Sequence, residues 1–573
     1  MSQKKNKIKR LGELTLKKSP ILEVLAEDKH SIIKILQENW RFMVLISIGI
    51  FILFLNAFRG DFVSDDYATI LNNPQVSSWS SMAGNVTPVV FTNFMIAAVF
   101  GVAPIFYHAF SIFFYIVICW VLLVFLNFII SKNLARVAIF MFAFMPLHVE
   151  AVSWISGKPY LFLAFFITIS FLGFVKYLED NKWEYLLVSG LSFFLAVLTD
   201  PPRPFSLFFV IFLYLVIVNK KIYWQKVGKL VPIVLVVFLA AVFAKLPLMM
   251  QRIGIVNSGY NSSESIFYNP FFQYPTGIPK YLQLMWMPFD LTLYHTMYTF
   301  PIWLNWLIMI NLLVMIGYFF YKDKRIFFGL TFFLVTLLPS MAPVKVSWLV
   351  AERYGFLPSL GFCILMAVFL EAIWKSNRYI ATIMLSVFVA MSVIRTYSRN
   401  IDWQTNHKLW VNTCLVSPNS HNAWNNIGDD YDKLKQYDNA IKGFTQSTIV
   451  KPNYADAFHN RANIFYKMGR LDLARDSYNT AIYFSPGLYQ TYLSLTQIDL
   501  AEGKIDLALQ HAKKATEIQP SDPQAAYVLA VVYAQAGQIE PAQQLLEGIV
   551  RAAPQFTQAA EALRAIKQQI GKS

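Results

Sequence analysis

The sequence is poor in cysteine and in charged residues. Its three cysteines are too few for a disulfide framework, and two of them, Cys119 and Cys363, fall in apolar segments. Charged side chains make up 14% of the 573 residues, against about 25% in an ordinary globular protein. Apolar side chains make up 56%, and Phe alone contributes 50 residues. This composition excludes a chain built only of soluble domains and predicts that most of it lies in lipid.

The sequence also lacks the motifs of several enzyme classes. It contains no P-loop, no dinucleotide-binding fingerprint and no metal-ligand spacing. The net charge of +15 does not indicate nucleic-acid binding, because the region after residue 395 is nearly neutral, with 17 Lys and Arg against 16 Asp and Glu. The basic excess falls in the apolar region, where it reports membrane topology.

The chain divides into three segments. Residues 1–39 are polar and basic and lack the short apolar core of a removed signal peptide, which predicts a cytoplasmic tail. Residues 40–395 hold about eleven apolar runs, each close to the ~20 residues that span a bilayer. Lys and Arg concentrate in alternate loops, so the N-terminus is predicted to be cytoplasmic and, with an odd number of spans, residues 396–573 to be extracytoplasmic. The runs lie near residues 40–58, 105–130, 134–150, 160–178, 183–199, 204–219, 229–248, 301–320, 326–344, 354–374 and 379–395.

The C-terminal segment is repetitive. A 34-residue period is typical of tetratricopeptide repeats, which stack helix pairs into a solenoid whose concave groove binds segments of partner proteins. The sequence thus predicts an all-α protein, with a polytopic membrane domain of about 11 transmembrane helices followed by an α-solenoid. Prolines mark the period at Pro418, Pro452, Pro486, Pro520 and Pro554. The predicted repeats cover about residues 421–454, 455–488, 489–522 and 523–556, and a capping helix covers 557–571.

Two adjacent carboxylates follow the first apolar run. Asp65 and Asp66 stand in GDFVSDDYATILNNPQV, on the predicted extracytoplasmic side. Neighbouring carboxylates repel each other, which raises one pKa and suits a general base or a cation site. A pair of aspartates that caps a turn in a polar loop would give the same sequence. Spacing alone leaves both interpretations open.

Ionisable residues also stand at the ends of later apolar runs on the same side. The stretch MPLHVEAVSWISGKPY carries His148, Glu150 and Lys158, and the turn TDPPRP carries Arg203. An ionisable residue at membrane depth is a functional candidate by default, although the ends of helices accept such residues at little cost.

The stretch VSWLVAERYGFLPSLGF places Glu352 and Arg353 at the mouth of a helix. An Arg there can hold a phosphate through two parallel N–H bonds, or it can extend to lipid headgroups. Carboxylates and several cations beside lipid suit a reaction on a lipid-linked phosphate. In such a reaction a base activates an acceptor hydroxyl, and cations stabilise the leaving phosphate.

Four elements, in their order along the chain, resemble a known enzyme family. They are FVSDDYATILNNPQV, HVEAVSWISGKPY, AERYGFLPSLGF and the C-terminal repeats. Together they resemble the transmembrane-and-tetratricopeptide O-mannosyltransferases and their bacterial relatives, which are type C glycosyltransferases. The resemblance runs from about residue 40 to the end. It implies an enzyme that moves a sugar from a polyprenyl-phosphate donor to a protein hydroxyl on the outer or lumenal side.

The resemblance also implies roles for the acidic candidates. Asp65 or Asp66 would be the catalytic carboxylate, and the resemblance does not decide between them. Glu150, with His148, would shape the sugar or acceptor site. No cofactor is implied with certainty, and a divalent cation held by the two aspartates stays open because no ligand count requires it.

By the same resemblance, Arg353 with Glu352 would lie near the donor phosphate, and Arg203 and Lys158 would add to its positive surroundings. The chain departs from the family here. Many relatives carry a Lys-Glu or Ser-Lys element where this chain has Thr-Asp-Pro-Pro-Arg at 199–203. Either Arg203 replaces a lysine, or the donor specificity differs.

Two asparagines occupy equivalent positions in successive repeats. Asn426 and Asn460 are 34 residues apart, and they are similar to the asparagine ladder with which some glycosyltransferase solenoids hold peptide backbones. Only two rungs are present, since Ser494 and Val528 follow at the next positions. A weak peptide-binding role is therefore predicted for the pair.

The predicted function is transfer of a mannose-like sugar from a polyprenyl-phosphate donor to a protein Ser or Thr hydroxyl, by an inverting mechanism. The repeats would bind the acceptor or a partner protein, and the location would be a bacterial inner membrane with periplasmic repeats. Two alternatives stay open. An oligosaccharide polymerase or ligase of the cell envelope would depend on Arg252 and His295, and a non-catalytic membrane scaffold would tolerate loss of the aspartate pair.

Overall fold

The computed structural model describes residues 31–83, 86–200, 203–228, 230, 250, 269–296, 300–341 and 349–570. These residues are overwhelmingly helical and contain no β-strand, so the predicted all-α class is confirmed. The chain forms two compact units, Met1–Asn412 and Thr413–Ser573.

The first unit is a set of apolar helices. Its longer helices are α1 (Ile32–Leu53), α2 (Pro88–Phe100), α3 (Pro104–Asn127), α4 (Lys132–Ala143), α5 (Lys158–Asp180), α6 (Trp183–Thr199), α7 (Ser206–Val218), α8 (Pro270–Trp286), α9 (Ile302–Lys322), α10 (Lys324–Leu337), α11 (Ser359–Ser376) and α12 (Arg378–Asp402). In the described part of the chain, seven helical stretches, built on α1, α3, α5 and α9 to α12, are long and apolar enough to cross a membrane. Helix α4 and Pro146–Ser153 form a bent pair that would add one more.

The predicted apolar runs that fall within the described residues all lie on helices. The run 134–150 is interrupted, because α4 ends at Ala143 and the chain bends by 56° before Pro146–Ser153. Pro146 has no N–H to continue the helical ladder, so the break follows from its chemistry. The run 229–248 lies outside the described residues except for position 230. The predicted total of about eleven spans stays a prediction.

Helices α10 and α11 pack backbone against backbone. A Cβ atom at Gly361 would lie 2.5 Å from the carbonyl oxygen of Gly329 and 2.6 Å from the backbone nitrogen of Phe333. Only glycine fits at this crossing. The contact fixes the start of α11, which directly follows the AERYG segment.

The second unit is the predicted solenoid. After α13 (Asn406–Val416), which begins in the first unit, it contains α14 (His421–Lys433), α15 (Tyr437–Val450), α16 (Ala455–Lys467), α17 (Leu471–Phe484), α18 (Tyr489–Ala501), α19 (Ile505–Ile518), α20 (Pro523–Gln535), α21 (Ile539–Ala552) and α22 (Thr557–Ile570). The turn between the two helices of a repeat has a left-handed residue, which is glycine in the later repeats and Lys435 (φ 57°) in the first.

The predicted domain limits compare with the structure as follows. The boundary proposed between residues 395 and 396 lies inside α12, which continues to Asp402. The first helices of the repeats begin at His421, Ala455, Tyr489 and Pro523, where the predicted repeats begin. Residues 1–30 of the predicted tail lie outside the described residues.

Candidate active site

Asp66 is fixed in the loop that follows α1. We call residues 60–66 the aspartate loop. The side chain of Asp66 is fully buried; its Oδ2 accepts a hydrogen bond from the Val63 backbone N–H at 3.0 Å. Its Oδ1 accepts from both the backbone N–H (2.8 Å) and the hydroxyl of Ser156. Burial raises the pKa of Asp66 to about 6, against the lowering effect of these donors.

Asp65 is oriented differently from its neighbour. It is partly open to solvent, and no hydrogen bond from the described residues engages its carboxylate. The protein around its carboxyl group raises the pKa, while the positive charge of Arg353 lowers it. The loop thus leaves one carboxylate exposed, where the charge of Arg353 acts on it, and holds the other in place. Ser64, with a φ of 53°, makes the turn between Val63 and the two aspartates.

The segment before α5 supplies the partners of Asp66. Lys158, the first residue of α5, is fully buried and donates from Nζ to the Asn93 Oδ1 at 2.7 Å. The same ammonium lies 4.5 Å from the centre of the Tyr107 ring. Its charge acts on Asp66. Lys158 is therefore engaged by interior side chains next to the aspartate loop. These contacts favour a positioning role over the predicted contact with a phosphate.

Glu150 and Arg353 form a buried ion pair. Arg353 donates from its backbone N–H to the Glu150 Oε2 at 2.9 Å and from Nη1 to Oε1. It also donates from Nε to the Tyr160 hydroxyl at 3.3 Å. In the described part of the chain, the remaining nitrogen, Nη2, has no hydrogen-bond partner. Because Glu150 fixes Arg353 in this way, the two predicted site residues act as one group.

Arg203 lies against the same aromatic rings. Its guanidinium carbon is 4.6 Å from the centre of the Tyr354 ring and 5.1 Å from that of Tyr160, and Arg353 stands over the same two rings at 5.0 and 5.9 Å. Arg203 donates to Ser340 and pairs with Asp200. A small pocket opens between the two arginines. We call Arg203, Arg353, Tyr160 and Tyr354 the arginine pocket.

Glu352 does not line this pocket. Its carboxylate is held by the fully buried Arg399, with Nη2 at 2.9 Å and Nε at 3.2 Å. Burial raises the pKa of Glu352, and Arg399 opposes that effect. Both oxygens of this carboxylate are taken by Arg399, so the contacts weigh against the predicted donor-binding role of Glu352.

Sequence reasoning missed Arg399. It lies near the end of α12, four residues after Arg395, and a basic pair at the end of an apolar run is ordinarily a topology signal. Its burial could not be inferred, because its partner Glu352 is 47 residues away. Arg399 also reaches Asp402 at 3.2 Å.

His148 lies in the core of the first unit. Its Nδ1 is 2.8 Å from the Tyr115 hydroxyl and its Nε2 is 2.8 Å from the Ser359 hydroxyl. The rings of Phe142 and Phe356 cover both sides of the imidazole. With both nitrogens engaged and no exposed surface, His148 is placed to support the helices, which weighs against its predicted contact with a sugar.

The two asparagines of the solenoid lie on the first helices of their repeats. Asn426 is on α14 and Asn460 on α16, and both are half-buried. Asn460 donates from Nδ2 to the Asn425 Oδ1 at 3.1 Å. Position 425 thus takes part in the arrangement that the sequence had assigned to 426 and 460 alone.

The polymerase or ligase alternative rests on two further residues. Arg252 lies outside the described residues, and His295 is buried with its Nε2 3.9 Å from the Glu352 Oε1. Among the residues that the structure describes, no group of three or more His, Cys, Asp or Glu side chains is placed to hold a metal ion.

Comparisons with known proteins agree with the sequence motifs. Two tetratricopeptide-repeat family models match residues 425–489 and 499–566. The human "Protein O-mannosyl-transferase TMTC3" is 24% identical over 396 residues, covering 60% of this chain and 42% of its own. The Caenorhabditis elegans "Protein O-mannosyl-transferase F38B6.6" is 26% identical over 461 residues, covering 70% of this chain and 62% of its own. The predicted family resemblance is confirmed.

The similarity has limits in extent. The chain spans about half the length of the curated relatives it matches, 42% of the human one and 62% of the nematode one. Among solved structures, "YrrB: a TPR protein with an unusual peptide-binding site" is 18% identical, covering 34% of this chain and 97% of its own, with a TM-score of 0.25. A thermophilic tetratricopeptide-repeat protein of Thermus thermophilus covers 31% of this chain and 95% of its own, at 16% identity and a TM-score of 0.26.

Proposed function

We propose that this membrane protein transfers a mannose-like sugar from a polyprenyl-phosphate donor to a Ser or Thr hydroxyl of an acceptor protein. Two of its relatives carry the name protein O-mannosyl-transferase. The observation that carries the proposal is an exposed carboxylate, Asp65, on which the positive charge of Arg353 acts, together with the two arginines of the arginine pocket. A base and a phosphate-binding group on one site are what this transfer requires.

Asp65 is the base in this mechanism. Its carboxylate is exposed and accepts no hydrogen bond from the described residues, and the positive charge of Arg353 acts on it. It accepts the proton of the acceptor hydroxyl as that oxygen attacks the anomeric carbon of the donor. The bond from this carbon to the phosphate oxygen breaks with its electron pair, and attack from the opposite face inverts the configuration. Asp66 is fully buried, and taking this proton would remove the charge that strengthens the three hydrogen bonds which fix the loop.

The arginine pocket binds the donor phosphate. Arg353 and Arg203 each spend one terminal nitrogen on a carboxylate, of Glu150 and Asp200 respectively, and keep N–H groups for an anion. The tyrosine rings between them exclude water from one side of each guanidinium. Positive charge in such surroundings stabilises the phosphate as its charge grows in the transition state.

The solenoid binds the acceptor protein or a partner. Tetratricopeptide repeats present a groove for protein segments, and the half-buried asparagines of α14 and α16 give it hydrogen-bonding groups for a peptide backbone. We place the protein in a bacterial inner membrane, because its repeat array is shorter than that of the eukaryotic members of the family. The Lys and Arg distribution along the sequence favours an N-terminus in the cytoplasm and repeats in the periplasm.

The test supplies purified full-length protein in detergent with one donor at a time. The donors are polyprenyl-phosphate mannose, a nucleotide-linked mannose and a lipid-linked oligosaccharide, each radiolabelled, with periplasmic proteins as acceptors. The proposal expects label on protein from the first donor alone. Label from the oligosaccharide, lost in Arg252→Ala and His295→Ala, would replace it with the polymerase or ligase. No transfer from any donor, with repeat partners still bound, would favour the scaffold.

A further inference from the structure

An open groove runs down the side of the first unit between its first and last helices. It has a volume of about 500 Å³ and lies between α1 and α12. Ile52 and Val393 line it and are exposed, and the ring of Phe144 also lines it. The ring of Phe144 fits there because residue 49 is glycine, where a Cβ would lie 2.7 Å from the ring. The groove is separate from the arginine pocket.

A cation stands at one end of this groove. Arg59 is the last residue of the 3-10 helix Leu55–Arg59 that follows α1, and it is exposed. In the described part of the chain no ion pair or hydrogen bond engages its guanidinium. Tyr397 lines the groove and is 54% exposed. A cation and an aromatic hydroxyl at the end of an apolar groove match the charge distribution of a lipid with an anionic headgroup.

The length of the groove fits the same occupant. Ten residues separate Gly49 from Arg59, and at 1.5–2 Å per helical residue they extend over about 15–20 Å. Half of a ~30 Å hydrocarbon core is about 15 Å. One acyl or prenyl chain can therefore lie along the groove within a single leaflet, with its headgroup at Arg59.

We propose that this groove binds one membrane lipid through its chain and its phosphate headgroup, with Arg59 as the phosphate ligand. Arg59 precedes the aspartate loop directly, so a bound lipid also fixes the residue from which that loop departs. The occupant is a phospholipid of the bilayer, because the proposed function places the phosphate of the polyprenyl donor in the arginine pocket, which shares no lining residue with this groove.

Native mass spectrometry of the full chain in detergent tests this proposal without any turnover. We expect phosphatidylglycerol to bind about tenfold tighter than diacylglycerol, from the charge-assisted hydrogen bonds of one arginine. Arg59→Gln should remove this preference. The matched control is Arg41→Gln, since Arg41 is exposed on α1 outside the residues that line the groove and should keep it. Val393→Trp fills the groove and should weaken both lipids.

The outcomes are distinct. An unchanged preference in Arg59→Gln overturns the proposal, as does a preference that disappears in Arg353→Gln while Arg59→Gln keeps it. Tighter binding of polyprenyl phosphate than of phosphatidylglycerol, lost in Arg59→Gln, would also overturn the proposal, because the released carrier would then be the occupant. A thermal melt of each variant verifies folding, and failure of the transfer assay leaves this binding result unaffected.

Discussion

Ser156 donates both its backbone N–H and its hydroxyl to the same carboxylate oxygen of Asp66. This contact joins two loops that are 90 residues apart in sequence. It explains why the adjacent aspartates have different surroundings. Asp66 is buried and held by three donors, which leaves Asp65 as the carboxylate that can reach a substrate.

The pH dependence of transfer should report Asp66 as well as the base, Asp65. Ser156→Ala separates the two, because of these two carboxylates Ser156 bonds only to that of Asp66. The pKa of Asp66 is about 6, so it is ionised at pH 7 and becomes protonated as the pH falls through 6. Protonation removes the negative charge that strengthens the hydrogen bonds from Val63 and Ser156, so these bonds weaken and the loop loosens. We expect the rate to fall below about pH 6 in a pH–rate profile. Ser156→Ala removes a donor that lowers this pKa, so the midpoint should move to higher pH.

Ser153→Ala is the control for that shift. Ser153 lies on the same segment but donates to Asn400 at 2.6 Å, so its loss should leave the midpoint unchanged. An identical midpoint in Ser156→Ala and wild type would show that Asp66 does not control the rate.

Replacing Arg353 by Lys should weaken use of the donor. Lysine keeps the charge but loses the planar fork that holds Glu150 and a phosphate together. We expect kcat/KM for the polyprenyl-phosphate donor to fall about 100-fold, with the KM for the acceptor nearly constant. Lys158→Arg serves for comparison, because the ammonium of Lys158 contacts Asn93 and not the arginine pocket. A fall in the donor kcat/KM of Lys158→Arg as large as that of Arg353→Lys would contradict the separation of roles.

The pair of Glu352 and Arg399 should matter for stability more than for chemistry. Arg399→Leu leaves the Glu352 carboxylate buried without its main partner, which costs about 3–5 kcal/mol. A lower thermal midpoint is expected, and the double change Glu352→Leu with Arg399→Leu should recover much of it. Arg378→Gln, exposed at the other end of α12, should leave the midpoint unchanged. A stable, inactive Arg399→Leu protein would instead place Arg399 in the reaction.

Asn460→Ala should affect the acceptor and not the donor. The loss of a hydrogen bond to a bound peptide backbone costs about 0.5–1.5 kcal/mol, so the KM for a peptide acceptor should rise a few-fold. Asn439, on the second helix of the first repeat, provides the control. Equal acceptor KM values for Asn460→Ala and wild type would remove the asparagines from peptide binding.

The sequence predicts the helices well, because apolar runs and the 34-residue period are local signals. It also indicates the loops that carry Asp65, Glu150 and Arg353. It does not reveal which side chains meet. The pairing of Glu150 with Arg353 spans 203 residues, and no local pattern encodes it. Similarly, Lys158 and His148 stand at the ends of apolar runs in the sequence, where contact with a substrate is open to them, whereas the fold buries both among polar partners.

The central claim is that Asp65 is the base, and single-turnover transfer by Asp65→Asn tests it most directly. Wild type, Asp65→Asn and Asp61→Asn are compared at saturating polyprenyl-phosphate mannose, with donor binding measured on the same samples. Asp61 lies in the same loop and is exposed. The account predicts that Asp65→Asn binds donor normally and transfers about 10²–10⁴-fold more slowly, while Asp61→Asn resembles wild type. Transfer by Asp65→Asn at the wild-type rate would contradict it.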